Sequence, residues 1–146
     1  MRSCPGAVII IVVLCTAATL FADVARVKAE PNLERRSALA LDEADSMLTA
    51  ARKSYEGGQI EQFKSELHQT VELIDLSYES LEETGKNARR SPKWFKRAEQ
   101  RLLYLRRRVD ALHRDVTVDD RPFVEPVLTK VRDVHDQLLQ EIMSKK

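Results

Sequence analysis

Asp110 and His113 stand three residues apart, the spacing that sets a carboxylate and an imidazole on one face of a helix. They are the closest approach in this chain to a metal-ligating pattern. A carboxylate-bridged metal pair in a helical bundle needs several inward Glu residues, with Glu-x-x-His on two of the helices. The inward positions here read as aliphatic, with Thr70 and Ser77 the polar exceptions. His68, His113 and His135 each follow directly after a core position, where an imidazole half-buries its ring and keeps one nitrogen wet. No metal and no cofactor is expected. The serines fall at helix ends or on helix surfaces, without the strand-turn-helix elbow or Gly-rich oxyanion loop that acyl transfer requires. Gly57-Gly58 is followed by no Gly-Lys-Ser/Thr and so is a turn, not a phosphate loop. The expectation is a protein that is not an enzyme, with no catalytic residues.

The chemistry with the largest signal is charge. Between Lys86 and Arg114 lie eleven bases, Lys86, Arg89, Arg90, Lys93, Lys96, Arg97, Arg101, Arg106, Arg107, Arg108 and Arg114, against Glu99 and Asp110 alone. Between Ser54 and Gly85 the sign reverses, with eight acids against Lys64. Arg89, Arg90, Lys93, Lys96, Arg97, Arg101, Arg106, Arg107 and Arg108 form the candidate surface for an anion or a partner. One reading is an anionic ligand, favoured by bases around a helix N-terminus whose free N–H groups already attract negative charge. The other pairs Arg89, Arg90 and Lys93 with Glu79, Glu82 and Glu83 across one loop, because the helix dipole disfavours each cluster where it stands. Internal pairing is the stronger expectation, although it does not account for Arg106, Arg107 and Arg108. Nucleic acid is disfavoured, since no base-stacking aromatics are interleaved with the Arg run.

These residues need elements to hold them, and apolar spacing supplies four. Ser91 to Asp115 carries Phe95, Ala98, Leu102, Leu105, Val109 and Leu112, continued by Val116, in steps of three and four. That spacing makes one narrow helical stripe. Ser91 is placed to cap this helix and Pro92 fits its first position, where no N–H is needed. Upstream, a helix opened by Pro31 presents Leu41, Ala44, Leu48, Ala51 and Tyr55 and stops at Gly57-Gly58. The next runs from about 59 to 84, with Ile60, Phe63, Leu67, Val71, Ile74, Tyr78 and Leu81 inward and Gly85 as its stop. The last carries Val124, Val127, Leu128, Val131, Val134, Leu138 and Ile142. Pro122 and Pro126 are expected to kink its beginning, and Thr117, Asp119 and Asp120 can cap it. Few aromatics and glycines agree with an all-α chain. Short turns make sequential helices antiparallel, so the expected fold is an up-down-up-down four-helix bundle, or two helical hairpins.

Ahead of these helices, Met1 and Arg2 precede an uncharged run from Ala7 to Ala22. A positive start, an apolar stretch and then small residues are the pattern of a secretory signal peptide. Val27-Lys28-Ala29 places the expected cut after Ala29, giving a signal peptide at 1–29 and one helical domain at 30–146. An uncleaved inner-membrane anchor at 7–22 is the alternative, though the run is short of the roughly 20 residues that span a bilayer. Leu14 before Cys15 disfavours lipoprotein processing. Losing Arg2, Asp23, Arg26 and Lys28 would move the net charge from +1 to −1. Cys4 and Cys15 both lie in the leader, so the remainder would have no disulfide or thiolate chemistry. The expected function is that of an exported periplasmic or extracellular protein acting through protein–protein contact or self-association. The alternative is a binding module for an anionic envelope component (lipid, lipopolysaccharide or acidic polymer) using the basic helix 91–115.

Overall fold

A computed structural model describes residues 24–144. The uncharged run, Cys4, Cys15 and most of the expected leader lie outside them. Among the described residues the chain is all-helical, with no strand. Helical residues 24–28 precede four long helices: α1 (Leu33–Glu56), α2 (Ile60–Glu83), α3 (Pro92–Asp115) and α4 (Arg121–Met143).

Each boundary has a local cause. Pro31 does not open α1; Asn32 does, its side chain accepting from the Arg35 N–H at 2.9 Å. That bond satisfies one of the donors that a helix start leaves free. Gly58, at φ 72°, and Gly85, at φ 63°, make the turns after α1 and α2, a left-handed backbone that costs glycine little. Pro92 sits in the first turn of α3 as its fixed φ favours. Ser91 makes no capping bond; in the turn ahead of it the Asn87 carboxamide oxygen accepts from the N–H groups of Arg89 and Arg90 at 3.0 and 3.2 Å. The region up to Pro126, expected to be kinked or only partly helical, is helical, and α4 runs from Arg121 to Met143 with Pro126 inside it. Pro126 is exposed, so the carbonyl it leaves without a helical donor faces water, while Val124 and Val127 are buried on the other side.

The apolar stripes meet as their spacing requires. Phe95, Ala98, Leu102, Leu105, Val109, Leu112 and Val116 are all buried, as are Leu41, Ala44, Leu48, Phe63, Leu67, Ile74 and Leu81. The core is less uniformly aliphatic than the sequence suggests. Besides Thr70 and Ser77 it holds Ser37, Ser54, Glu66, Gln69, Ser80 and His135. Ser37 and Ser77 bond to each other at 2.9 Å, and Thr70 and Ser80 donate back to their own helix. Such small side chains let α1 and α2 approach closely, and these two helices share the most extensive contact.

The helices pack as a bundle whose neighbours are specific. α1 lies against α2, α2 against α4, α4 against α3, and α3 against α1; α2 and α3 barely touch, and α1 and α4 do not. Arg36 reaches Glu83 and Tyr55 meets Phe63, so α1 and α2 run in opposite directions. His135 beside Glu99 and Glu125 near His113 show the same for α3 and α4. By contrast α1 and α3 run the same way, with Asp42 on Arg101 and Arg52 on Asp115. The same holds for α2 and α4, with Asp75 on Lys130 and Tyr78 on Glu141.

Residues 24–29 belong to this core and not beside it. Val24 is 7% exposed and Val27 2%, and Arg26 lies 3.7 Å from Glu43.

Candidate interaction surface

The bases of α3 divide according to the helix beside them. Arg101 bonds Asp42, and Arg108 bonds the Asp45 carboxylate and the Thr49 hydroxyl, the latter at 2.9 Å. All three acceptors are on α1, next to which α3 is packed. Lys86 reaches Glu34 at 2.8 Å. Among the described residues, Arg89, Arg90, Lys93, Lys96, Arg97, Arg106, Arg107 and Arg114 have no carboxylate within 4 Å.

The expected pairing of Arg89, Arg90 and Lys93 with Glu79, Glu82 and Glu83 does not form. Glu83 is taken by Arg36 at 2.7 Å, Glu82 lies beside the Tyr78 hydroxyl, and no described base reaches Glu79. The cause is geometric. The loop 84–91 crosses between helices that are not neighbours, so the two clusters turn away from each other. The Arg106, Arg107 and Arg108 triplet is also split: Arg106 is half-buried without a carboxylate, Arg107 is exposed, and Arg108 is bound to α1.

What remains is a ridge. The exposed residues of α3 are Lys93, Lys96, Arg97, Gln100, Tyr104, Arg107, Arg114 and Asp115, and Asp115 is held by Arg52 at 2.8 Å. Lys93, Arg97, Gln100, Tyr104, Arg107 and Arg114 repeat in helical steps along the side opposite the buried stripe. Tyr104 is 46% exposed at its centre, with the guanidinium groups of Arg101 and Arg108 at 5.9 and 6.0 Å from the ring. Trp94 packs partly against the core, with Lys93 and Arg97 at 5.4 and 5.5 Å from its ring. Such cation–ring contacts hold long basic side chains in place without neutralising them.

α2 carries the opposite ridge. Its exposed residues are Glu61, Ser65, His68, Glu72, Glu79, Glu82 and Glu83. Glu61 bonds Lys64 and Glu72 lies 3.6 Å from His68, both within the same helix, and Glu83 alone of the five exposed acids has a cross-helix base. The exposed faces of α1 and α4 mix acids, bases and neutral residues.

Other polar groups bond between or within the helices. Asp110 and His113 point to different partners, Arg132 at 3.8 Å and Glu125 at 4.0 Å, so they do not form a joint site. His135 is buried, with Nε2 2.9 Å from Glu99 and Nδ1 3.1 Å from Asp136, which ties α4 to α3. The Tyr55 hydroxyl donates to Asp120 at 2.9 Å and accepts from the Thr117 N–H at 2.9 Å, locking the end of α1 to the α3–α4 turn. The Thr117 hydroxyl and then that of Tyr55 hold the Asp120 carboxyl below its ordinary range. Burial, and then the bond to Glu141, push the Tyr78 phenol up. No group of three His, Cys, Asp or Glu among the described residues is placed to hold a metal ion. None of the described helices is long and apolar enough to cross a membrane. Comparison with known proteins finds no matching family model, curated protein or solved structure.

Proposed function

We propose that this chain is an exported, non-enzymatic protein that works by protein–protein contact through the basic ridge of α3. Its architecture in this reading is two helical hairpins laid side by side, α1 with α2 and α3 with α4. The observation that carries the reading is the ridge itself: five exposed bases without a carboxylate among the described residues, on a helix whose Arg101 and Arg108 find partners in α1. Unpaired like charges on one face repel, and a partner of opposite sign relieves that repulsion. The second reading, an anionic envelope component, is supported by Trp94 and Tyr104, whose amphipathic rings stand among those bases.

Binding of the purified protein to immobilised polyglutamate and to phosphatidylglycerol vesicles tests both. Retention on polyglutamate at low salt, lost when Lys93, Arg97, Arg107 and Arg114 become Gln, is the expected result. Binding should weaken steeply with salt, since exposed charges are screened within about 8 Å at physiological ionic strength. Capture by vesicles alone would replace the first reading by the second, and binding to neither would remove both.

A further inference from the structure

We infer that the partner of the basic ridge is the acidic ridge of α2 on a second copy of this chain, so that copies add in an open row. This rests on the reading that α3 binds an acidic protein surface. Two single-sign ridges of opposite charge occur on this molecule, and each has the length of one helix. They cannot satisfy one another within a copy. α2 and α3 occupy opposite corners of the bundle, so their exposed sides face away from each other.

Those opposite corners determine how copies meet. A twofold dimer uses the same patch on both members, whereas a ridge binding a different ridge is a head-to-tail contact that continues unless a rotation closes it. The levels of the charges agree with copies displaced sideways without rotation. Arg101 stands level with Asp42 and Asp115 with Arg52. Arg36 stands level with Ser80, and Tyr55 with Phe63. The start of α3 is therefore level with the end of α2, and the end of α3 with the start of α2. In a copy moved sideways, Lys93 and Lys96 come beside Glu79 and Glu82, Arg107 beside Glu72, and Arg114 beside Glu61. The helices run antiparallel across this contact.

An apolar feature accompanies the charges on each side. Tyr104 projects from the middle of the basic ridge. Beside the acidic ridge, between α2 and α4, is a groove of about 250 Å³ whose lining includes Leu67, Val71, Phe123, Pro126 and Val127, with the Lys64 ammonium over the Phe123 ring at 4.5 Å. Its Val71 end lies near the level that Tyr104 takes in the displaced copy. Exposed ion pairs are individually weak, so the row is salt-sensitive and the tyrosine its apolar anchor.

Sedimentation velocity of the purified protein across concentration, at low and at high salt, tests this. The expected result is a weight-average mass that climbs past the dimer with concentration at low salt and returns to the monomer at high salt. Two variants separate the ridges: Glu61, Glu72, Glu79 and Glu82→Gln, and Lys93, Lys96, Arg107 and Arg114→Gln. All eight positions are exposed and carry no cross-helix ion pair among the described residues, and circular dichroism checks that each variant keeps its helicity. Each variant alone should stay monomeric, while an equimolar mixture should form a one-to-one pair and stop. Tyr104→Ser should weaken assembly at least several-fold without changing helicity.

A protein monomeric at every concentration at low salt would overturn the inference. So would self-association that survives either variant, or a closed dimer in the unaltered protein. If the monomeric protein still binds polyglutamate through α3, the inference fails and the proposed function stands. Failure of both measurements removes the two together.

Discussion

Tyr55 shows what a single residue's position hides. Its ring belongs to the stripe that helical spacing identifies, and it packs at 5.0 Å on Phe63. Its hydroxyl, however, acts on Thr117 and Asp120, more than sixty residues away in sequence. No local pattern could pair them, because the pairing exists only once α1 and the α3–α4 turn end at the same level. The same applies to Glu66, which is 1% exposed although its residue type reads as surface. The Asp120 carboxyl is held below its ordinary range, so its folded value lies below its unfolded one. Its stabilising contribution is then full above the unfolded value and is lost as pH falls through the folded one. Tyr55→Phe removes one of the two bonds responsible. The variant should be less stable than the parent at neutral pH, and the gap should narrow on acidification below the carboxylate range. Urea denaturation at neutral pH and at about pH 2 to 3 measures it. A gap unchanged with pH would mean that the hydroxyl does not act through Asp120.

At the scale of the element, α3 was readable in one respect and not in another. Its buried stripe follows from apolar spacing alone, since only one face of a helix can meet a core. Leu102 and Leu105 are 0% and 1% exposed. Either one changed to Ala should cost about 2–5 kcal/mol of unfolding free energy. A near-neutral result at both would contradict the packing. Which bases pair was not readable, because that depends on the neighbouring helix. The sequence favours α2, its successive partner, but α3 packs on α1 and α4. Arg106, Arg107 and Arg108 look equivalent in a list and differ by where one turn of helix aims them. Arg108→Ala loses the Asp45 and Thr49 contacts and should lower stability by roughly 1 kcal/mol, the upper range for such pairs. Arg107→Ala should leave the melting temperature unchanged. Equal effects at the two positions would refute this division of the triplet.

At the scale of the whole molecule, the charge imbalance was legible and its disposition was not. A short loop suggests that the acidic and basic clusters meet, and crossing the bundle separates them. The same scale bears on the start of the domain. The spacing of small residues at Val27-Lys28-Ala29 suggests a cut after Ala29, yet Val24 and Val27 are buried with the helical core. Ala29 and Glu30 donate backward to Ala25 and Val27 at 3.0 and 3.1 Å, continuing the turn toward α1. A cut after Ala29 would strip these side chains from the surface that α1 offers them. A cut before Val24 would retain both. In the export reading, terminal sequencing of the recovered protein should therefore find a first residue at or ahead of Val24. A stability measurement tests the same contact without depending on processing. Val27→Ala removes two methyl groups at a position 2% exposed. It should cost roughly 1 kcal/mol or more, at about 0.8 kcal/mol for each buried carbon before any cavity is counted. Val27→Asp should cost considerably more, because an unpaired carboxylate would be desolvated there. Neutral results for both substitutions, with a recovered chain that begins at Glu30, would show that residues 24–29 are dispensable to the domain.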